Sequence, residues 1–159
     1  MKLNEICQIQ KLPQHSGSKE KPGNLAVLEF SALTWTPNRI LYVCGTPAGS
    51  VRGQHAHHKN KQIVLCIQGQ IDVSLWNGYN TVMYNLFPCE YIYVPQMVWD
   101  EQTYVTGNDI MMSIHSLPFD PEDHITDREL FLQLTKRLAR IPKKNISKRS
   151  CRCHTSCST

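Results

Sequence analysis

The stretch RGQHAHHKNKQ, Arg52 to Gln62, places three histidines within four positions, between an arginine and a glutamine. Residues two apart on a strand share a face. His55 and His57 would therefore point to one side and His58 to the other. Two imidazoles on one inward face of a small barrel could hold a metal ion or move protons. On an outward face, or packed in a core, they are ordinary residues of a polar strand. All three readings stand on this stretch alone.

The flanking segments supply the architecture. Downstream, QIVLCIQG (62–69) and QIDVSLWNG (70–78) meet at Gly69. The second alternates Ile71, Val73 and Leu75 with polar neighbours and ends at Asn77-Gly78, a hairpin dipeptide. TVMYNLF (81–87), EYIYVP (90–95), EQTYVTG (101–107) and DIMMSIHS (109–116) continue the pattern. Upstream lie LAVLEF (25–30) and RILYVCG (39–45). Short apolar runs at even spacing, separated by Gly, Pro and Asn, predict an all-β sandwich or barrel.

One helix is expected near the end. Thr126-Asp127-Arg128-Glu129 fits a capping box opened by Thr126. Leu130, Phe131, Leu134 and Leu138 follow at helical spacing as one apolar face, and Pro142 ends it. KKNISKRSCRCHTSCST beyond has little to bury and is expected to be a disordered basic tail. Its Cys151, Cys153, His154 and Cys157 match no familiar zinc module.

A chain of 159 residues suits one domain, with 41% apolar and 19% charged residues as in a globular protein. Residues 1–135 form the expected domain and 136–159 the helix end and tail. No apolar run reaches 18 residues, so no membrane span is expected. The N-terminus, MKLNEICQIQKLPQ, lacks the apolar stretch of a signal peptide, which points to the cytoplasm. Seven cysteines, with Cys7, Cys44, Cys66 and Cys89 standing singly, read as reduced thiols rather than a disulfide framework. The net charge of +4 is uneven. Residues 136–159 hold eight Lys and Arg and no acid, so the body before them is mildly acidic. Nothing in the body calls for nucleic acid, and the tail at most allows weak contact with polyanions.

The order His55-x-His57, four residues, Gln62, six residues, Gly69 resembles the first signature of the cupin superfamily of small β-barrels. Metal-binding cupins carry Glu at the position of Gln62 and a further His downstream of a Pro. Here Pro95 is followed by QMVWDE. Neutral Gln is a poor ligand for a divalent ion beside a carboxylate. No metal and no other cofactor are expected; the remaining chemistry is acid–base work by histidine.

RILYV and RGQHAHHKNKQIVLCIQGQIDV together are similar to the sugar 3,4-ketoisomerase family, the WxcM-like or FdtA-type cupins. Matching positions are Arg39, Tyr42, Arg52, Gly53, His55, Ala56, His57, Gln62, Cys66, Gly69, Pro95 and Trp99, with Asp120, Asp123, Ile125 and Phe131 in the terminal segment. The resemblance implies an all-β, cupin-type jelly-roll β-barrel with a short C-terminal helix, and a homodimer. It implies metal-free conversion of a dTDP-4-keto-6-deoxyhexose to its 3-keto isomer in deoxysugar biosynthesis. By the match, His55 is the base and His57 assists the proton shuttle or holds the sugar. Tyr42 donates to the developing enolate. Arg52 meets the diphosphate or forms an ion pair. Gln62 contacts the sugar or fixes a histidine tautomer, and Arg39 and Trp99 complete the substrate site.

The chain departs from the family at three places. Pro22 stands where members carry Arg, Asp100 where a His follows the Trp, and His124-Ile125-Thr126 where they have Tyr-Ile-Arg. Lys61, His115 and His124 are the groups left to meet an anion. Three alternatives therefore stay open: a non-catalytic nucleotide-sugar-binding cupin, a related sugar-nucleotide epimerase, and a metal-dependent cupin enzyme.

Overall fold

The structure, a computed structural model, describes residues 2–140. The expected basic tail, with its Cys151–Cys157 cluster, lies outside the described residues. The elements in order are α1 (Leu3–Ile6), β1 (Ile9–Lys11), β2 (Gln14–Ser16), β3 (Asn24–Ala26), β4 (Arg39–Val43), β5 (Val51–His57), β6 (Gln62–Gln68), β7 (Ile71–Trp76), β8 (Thr81–Leu86), β9 (Glu90–Val94), β10 (Trp99–Tyr104), β11 (Ile110–His115), β12 (His124–Ile125) and α2 (Arg128–Arg140).

Two five-stranded sheets face each other, in the orders β1-β9-β6-β11-β4 and β12-β5-β10-β7-β8. All pairs within them are antiparallel. From β4 onward the chain crosses between sheets at nearly every step; only β7 and β8 form a hairpin within one. This is the jelly-roll topology that the fold reading expects. Gly69 makes one such crossing at φ 78°, where a Cβ would meet the Asp109 carboxylate at 2.0 Å. Only glycine fits that corner.

The strand patterns follow from what covers each face. β7 alternates as read: Ile71, Val73 and Leu75 are buried inward. β6 is buried on both sides, which explains its unbroken run Ile63-Val64-Leu65-Cys66. Val64 and Cys66 join the inner core with Val73, Leu86 and Ile92. Ile63 and Leu65 pack outward beneath Leu12, Leu28 and Trp35. Each fully buried aliphatic side chain contributes about 1.5–3 kcal/mol. The run Leu25–Phe30 is the one expected strand that mostly is not one. Pairing stops at Ala26, and the chain turns through a short 3-10 segment at Phe30–Ala32. Its apolar residues cover the outside of a sheet rather than extend it.

α2 is capped one residue later than expected. Asp127 Oδ1 accepts from the N–H groups of Glu129 (2.8 Å) and Leu130 (3.1 Å), so Asp127 rather than Thr126 closes the first turn. Its buried stripe is also rotated: Phe131 and Thr135 are buried, while Leu130 and Leu138 are exposed. Phe131 packs on Trp76 and Trp99. The helix continues past residue 135 to Arg140. No helix among the described residues is long and apolar enough to cross a membrane. Cys7, Cys44, Cys66 and Cys89 are all free thiols, and burial pushes Cys7 up to about 12 and Cys66 up to about 11.

Candidate active site

Between the sheets, at one end of the inner core, lies a cavity of about 170 Å³ lined by both apolar and polar side chains. Its floor and walls come from alternate residues of β4, β6, β10 and β11, and from β5. On a regular strand Arg52 and His55, three apart, would face opposite sides. Both line this cavity because β5 carries an extra residue. Asp100 of β10 pairs with His55 and Glu101 with Gly53, leaving Gln54 unmatched. Gly53 (φ 78°) and Gln54 (φ 56°) are both left-handed at this bulge. A Cβ on Gly53 would approach the Asp100 carbonyl oxygen to 2.8 Å. The bulge thus resets the phase, and Arg52 lies opposite Gln102 as His55 lies opposite Asp100.

Behind His55 runs a hydrogen-bonded chain. His55 Nε2 and His57 Nε2 are 3.2 Å apart, and His57 Nδ1 is 3.0 Å from Asp123 Oδ2. The Asp123 carboxylate also accepts the backbone N–H groups of Lys59 (2.8 Å) and Asn60 (3.2 Å). It therefore acts as an acceptor, and His57 donates from Nδ1. Burial, with the nearby His55 and His124, holds His57 at about 4 against the pull of Asp123, so its ring is neutral near pH 7. Its Nε2 is then a bare acceptor and His55 donates from Nε2. The network leaves Nδ1 as the His55 nitrogen free to accept a proton.

A second chain orients Gln62. His115 is buried, and burial and the Arg39 charge hold it at about 3. Its Nδ1 accepts from Asn60 Nδ2 (2.8 Å) and Arg39 Nη2 (3.2 Å). Its Nε2–H donates to Ser113 Oγ (2.9 Å), which donates to Gln62 Oε1 (3.2 Å). Gln62 Nε2 keeps its hydrogens for the cavity.

Among the described residues, the buried side-chain polar atoms without a partner are Arg39 Nε, Gln62 Nε2, Asp100 Oδ1 and Tyr104 Oη. All four belong to residues lining this one cavity. Buried polar groups are almost always paired, so their convergence marks a place built for a polar ligand. Asp100 is wholly buried, with Oδ2 accepting from Gln102 Nε2. Burial pushes its carboxyl up to about 6, opposed by the charge of His55. Burial pushes the Tyr104 phenol up to about 12, which keeps it a donor.

The structure therefore brings Arg39, Arg52, His55 and Gln62 to the cavity and sets other candidates elsewhere. His57 is 3% exposed and is not among the lining residues; it meets the cavity only through its 3.2 Å contact with His55. Tyr42 is 68% exposed, because on β4 the inward residues are Arg39, Leu41 and Val43. The phenol in the cavity is Tyr104. Trp99 is also displaced: it packs against Phe131, and its Nε1–H donates to Glu101 Oε1 at 3.0 Å. The inward series of β10 is Asp100, Gln102 and Tyr104, and Trp99 belongs to the alternate, outward series. His124 lines the cavity, whereas neutral His115 offers no charge to an anion, and Lys61 is not among the lining residues.

Residues 5–136 match the family described as FdtA, WxcM-like, C-terminal. The TDP-4-oxo-6-deoxy-α-D-glucose-3,4-oxoisomerase of Aneurinibacillus thermoaerophilus is 27% identical over 129 residues, covering 80% of this chain and 89% of its own. The crystal structure of QdtA, a sugar 3,4-ketoisomerase from Thermoanaerobacterium thermosaccharolyticum in complex with TDP, shares the fold with a TM-score of 0.76. It is 20% identical, over 84% of this chain and 96% of that one. WlaRB, a TDP-quinovose 3,4-ketoisomerase from Campylobacter jejuni, shares it with a TM-score of 0.72 at 23% identity, over 80% and 97%. With the match running from within α1 into α2 and taking in every strand of both sheets, the chain belongs to the FdtA, or WxcM-like C-terminal, family.

Proposed function

We propose that the protein is a sugar 3,4-ketoisomerase acting on a dTDP-4-keto-6-deoxyhexose. The observation that carries the reading is the chain Asp123–His57–His55, which ends in a cavity-facing imidazole opposite the buried carboxyl of Asp100. The hydrogen on C3 is acidic because C4 is a ketone. His55 removes it at Nδ1, and the electron pair moves toward the C4 oxygen. Tyr104 Oη and Gln62 Nε2 donate to that oxygen, and such preorganised donors supply a large share of the barrier reduction. The hydroxyl proton of O3 passes to O4 in the enediol, leaving the ketone at C3. Asp100, near neutrality in its titration, delivers the proton to C4. Transfer from His55 through solvent to Asp100 restores the starting state. Arg52, at the exposed rim of the cavity, is placed for the diphosphate.

The reading includes a homodimer. A groove of about 330 Å³ on the outer side of the β4-containing sheet is mostly apolar and includes Phe30, Ile40, Ile67 and Met112. Tyr42 continues the outward face of β4 beside it. Exposed apolar surface of this extent marks a contact surface, and a second copy fits the assembly the resemblance implies.

Product analysis by NMR tests the activity. A 3-keto sugar from the 4-keto substrate, lost with His55→Asn, is expected. An epimerised 4-keto sugar, or equal turnover by the variant, would overturn the assignment.

A further inference from the structure

We infer that His55, His57 and His124 form a binding site for a divalent ion of the zinc class, and that occupation of this site shuts off proton transfer by His55. The activity part rests on the function proposed above; the binding part does not.

One ring nitrogen from each residue lies within 4.8 Å of the others. The rings are close as well: His57 and His124 centroids are 4.5 Å apart and His55 and His124 5.0 Å. Tetrahedral zinc with Zn–N bonds of about 2.0–2.1 Å sets its nitrogens about 3.3 Å apart. His55 Nε2 and His57 Nε2 already stand at 3.2 Å. His124 needs only a small ring movement at the start of β12, and it is partly exposed in the cavity.

The hydrogen bonds behind the rings match a ligand set. Metal-bound histidines usually donate their second N–H to a carboxylate or a backbone carbonyl, which turns the other nitrogen into a fixed lone pair. His57 donates Nδ1–H to Asp123 Oδ2 at 3.0 Å. His124 Nδ1 is 2.9 Å from the Asp120 carbonyl oxygen, which can only accept. Both rings thus present Nε2 as a lone pair. The acceptor for His124 Nδ1–H comes from the turn that carries Asp120 and Asp123, so one short segment supports two of the three ligands. Three imidazoles with a position open to the cavity suit Zn²⁺, Co²⁺, Ni²⁺ or Cu²⁺ rather than Mg²⁺ or Ca²⁺.

Binding has a chemical consequence. A metal on His55 Nε2 displaces the proton that His55 shares with His57, and that proton moves to Nδ1. The nitrogen that would accept the C3 proton then carries one. No bond to substrate is needed for this inhibition.

The test uses the full chain, stripped of metal by a chelator, titrated with Co²⁺ and Zn²⁺. The cysteines Cys151, Cys153 and Cys157 are changed to Ser so that tail thiols do not contribute. One equivalent of Co²⁺ with the visible spectrum of a tetrahedral nitrogen site is expected. His124→Phe and His124→Gln should each weaken binding at least tenfold, and Asp123→Asn about 10- to 100-fold. Zn²⁺ should inhibit turnover at the concentrations at which it binds. No stoichiometric binding, binding unchanged in both His124 variants, or full turnover with zinc bound would each overturn the inference. The cobalt spectrum reads the site even if the protein turns over no keto sugar, which separates this failure from that of the proposed reaction.

Discussion

His57 and Asp123, 66 residues apart in the chain, are joined by a 3.0 Å hydrogen bond from Nδ1 to Oδ2. Through it a carboxylate that never reaches the cavity decides which nitrogen of His55 is free. Asp123→Asn removes the obligate acceptor and allows the opposite tautomers. The expected result is a fall in kcat of about 100-fold or more with KM nearly unchanged, on the scale of a catalytic imidazole held in the wrong tautomer. The pH profile of kcat should shift as well, which simple loosening would not produce. Steady-state kinetics across pH checks both.

Tyr104, not Tyr42, is the phenol that lines the cavity, and the proposed reaction has it meet the developing charge. Tyr104→Phe should lower kcat about 10²- to 10³-fold, the usual effect of removing one oxyanion donor. Tyr42→Phe, on the outer face of β4, should leave kcat unchanged. The reverse ranking would return Tyr42 to the site.

Stability should fall in mild acid. Burial holds His57 at about 4 and His115 at about 3, against an ordinary 6.5. As pH drops below 6.5 the unfolded chain takes up two protons that the folded chain refuses, so unfolding is favoured. Asp100 works the other way: its carboxyl is raised to about 6 from 3.8, so the folded chain binds its proton first. Two groups outweigh one. Between pH 7 and 5 the net loss should be roughly 2–3 kcal/mol, or about 5–10 °C in Tm. Asp100→Asn should steepen the fall. Thermal unfolding followed across pH measures it; a flat profile would contradict buried neutral histidines.

Gly53 sets the phase of β5. Gly53→Ala puts a side chain where φ is 78° and the Asp100 carbonyl stands 2.8 Å away. A loss of more than about 1 kcal/mol in stability is expected. KM should rise more than kcat falls, because Arg52 leaves the rim. Denaturant melts and kinetics on one preparation separate the two effects.

The outer face of β4 is the proposed dimer contact. Ile40→Asp should convert the dimer to a monomer, read by light scattering coupled to size exclusion. A wild-type monomer, or a variant that remains dimeric, would contradict the assignment.

The fold was legible because β7 alternates cleanly, because short apolar runs recur at even spacing, and because Gly69 and Asn77-Gly78 mark real turns. Leu25–Phe30 misled because an apolar run covering a sheet looks like an apolar run inside one. In the site, the even spacing of His55 and His57 gave their common side. The same rule sends Arg52 to the opposite side, since the bulge at Gly53-Gln54 is visible only in the pairing. Tyr42 and Trp99 sit at family positions, but their direction depends on strand phase, and both phases turn them away from the cavity. Asp123 was out of reach for another reason. Its contact with His57 spans the fold and leaves no local spacing to read.

The most direct test is to run the reaction on dTDP-4-keto-6-deoxyglucose in deuterated water and locate the label by NMR. Deuterium at C4 of a 3-keto product is the expected result, with none retained from C3 of the substrate. Direct, label-free carriage of hydrogen from C3 to C4 would contradict proton removal by His55 and delivery from Asp100.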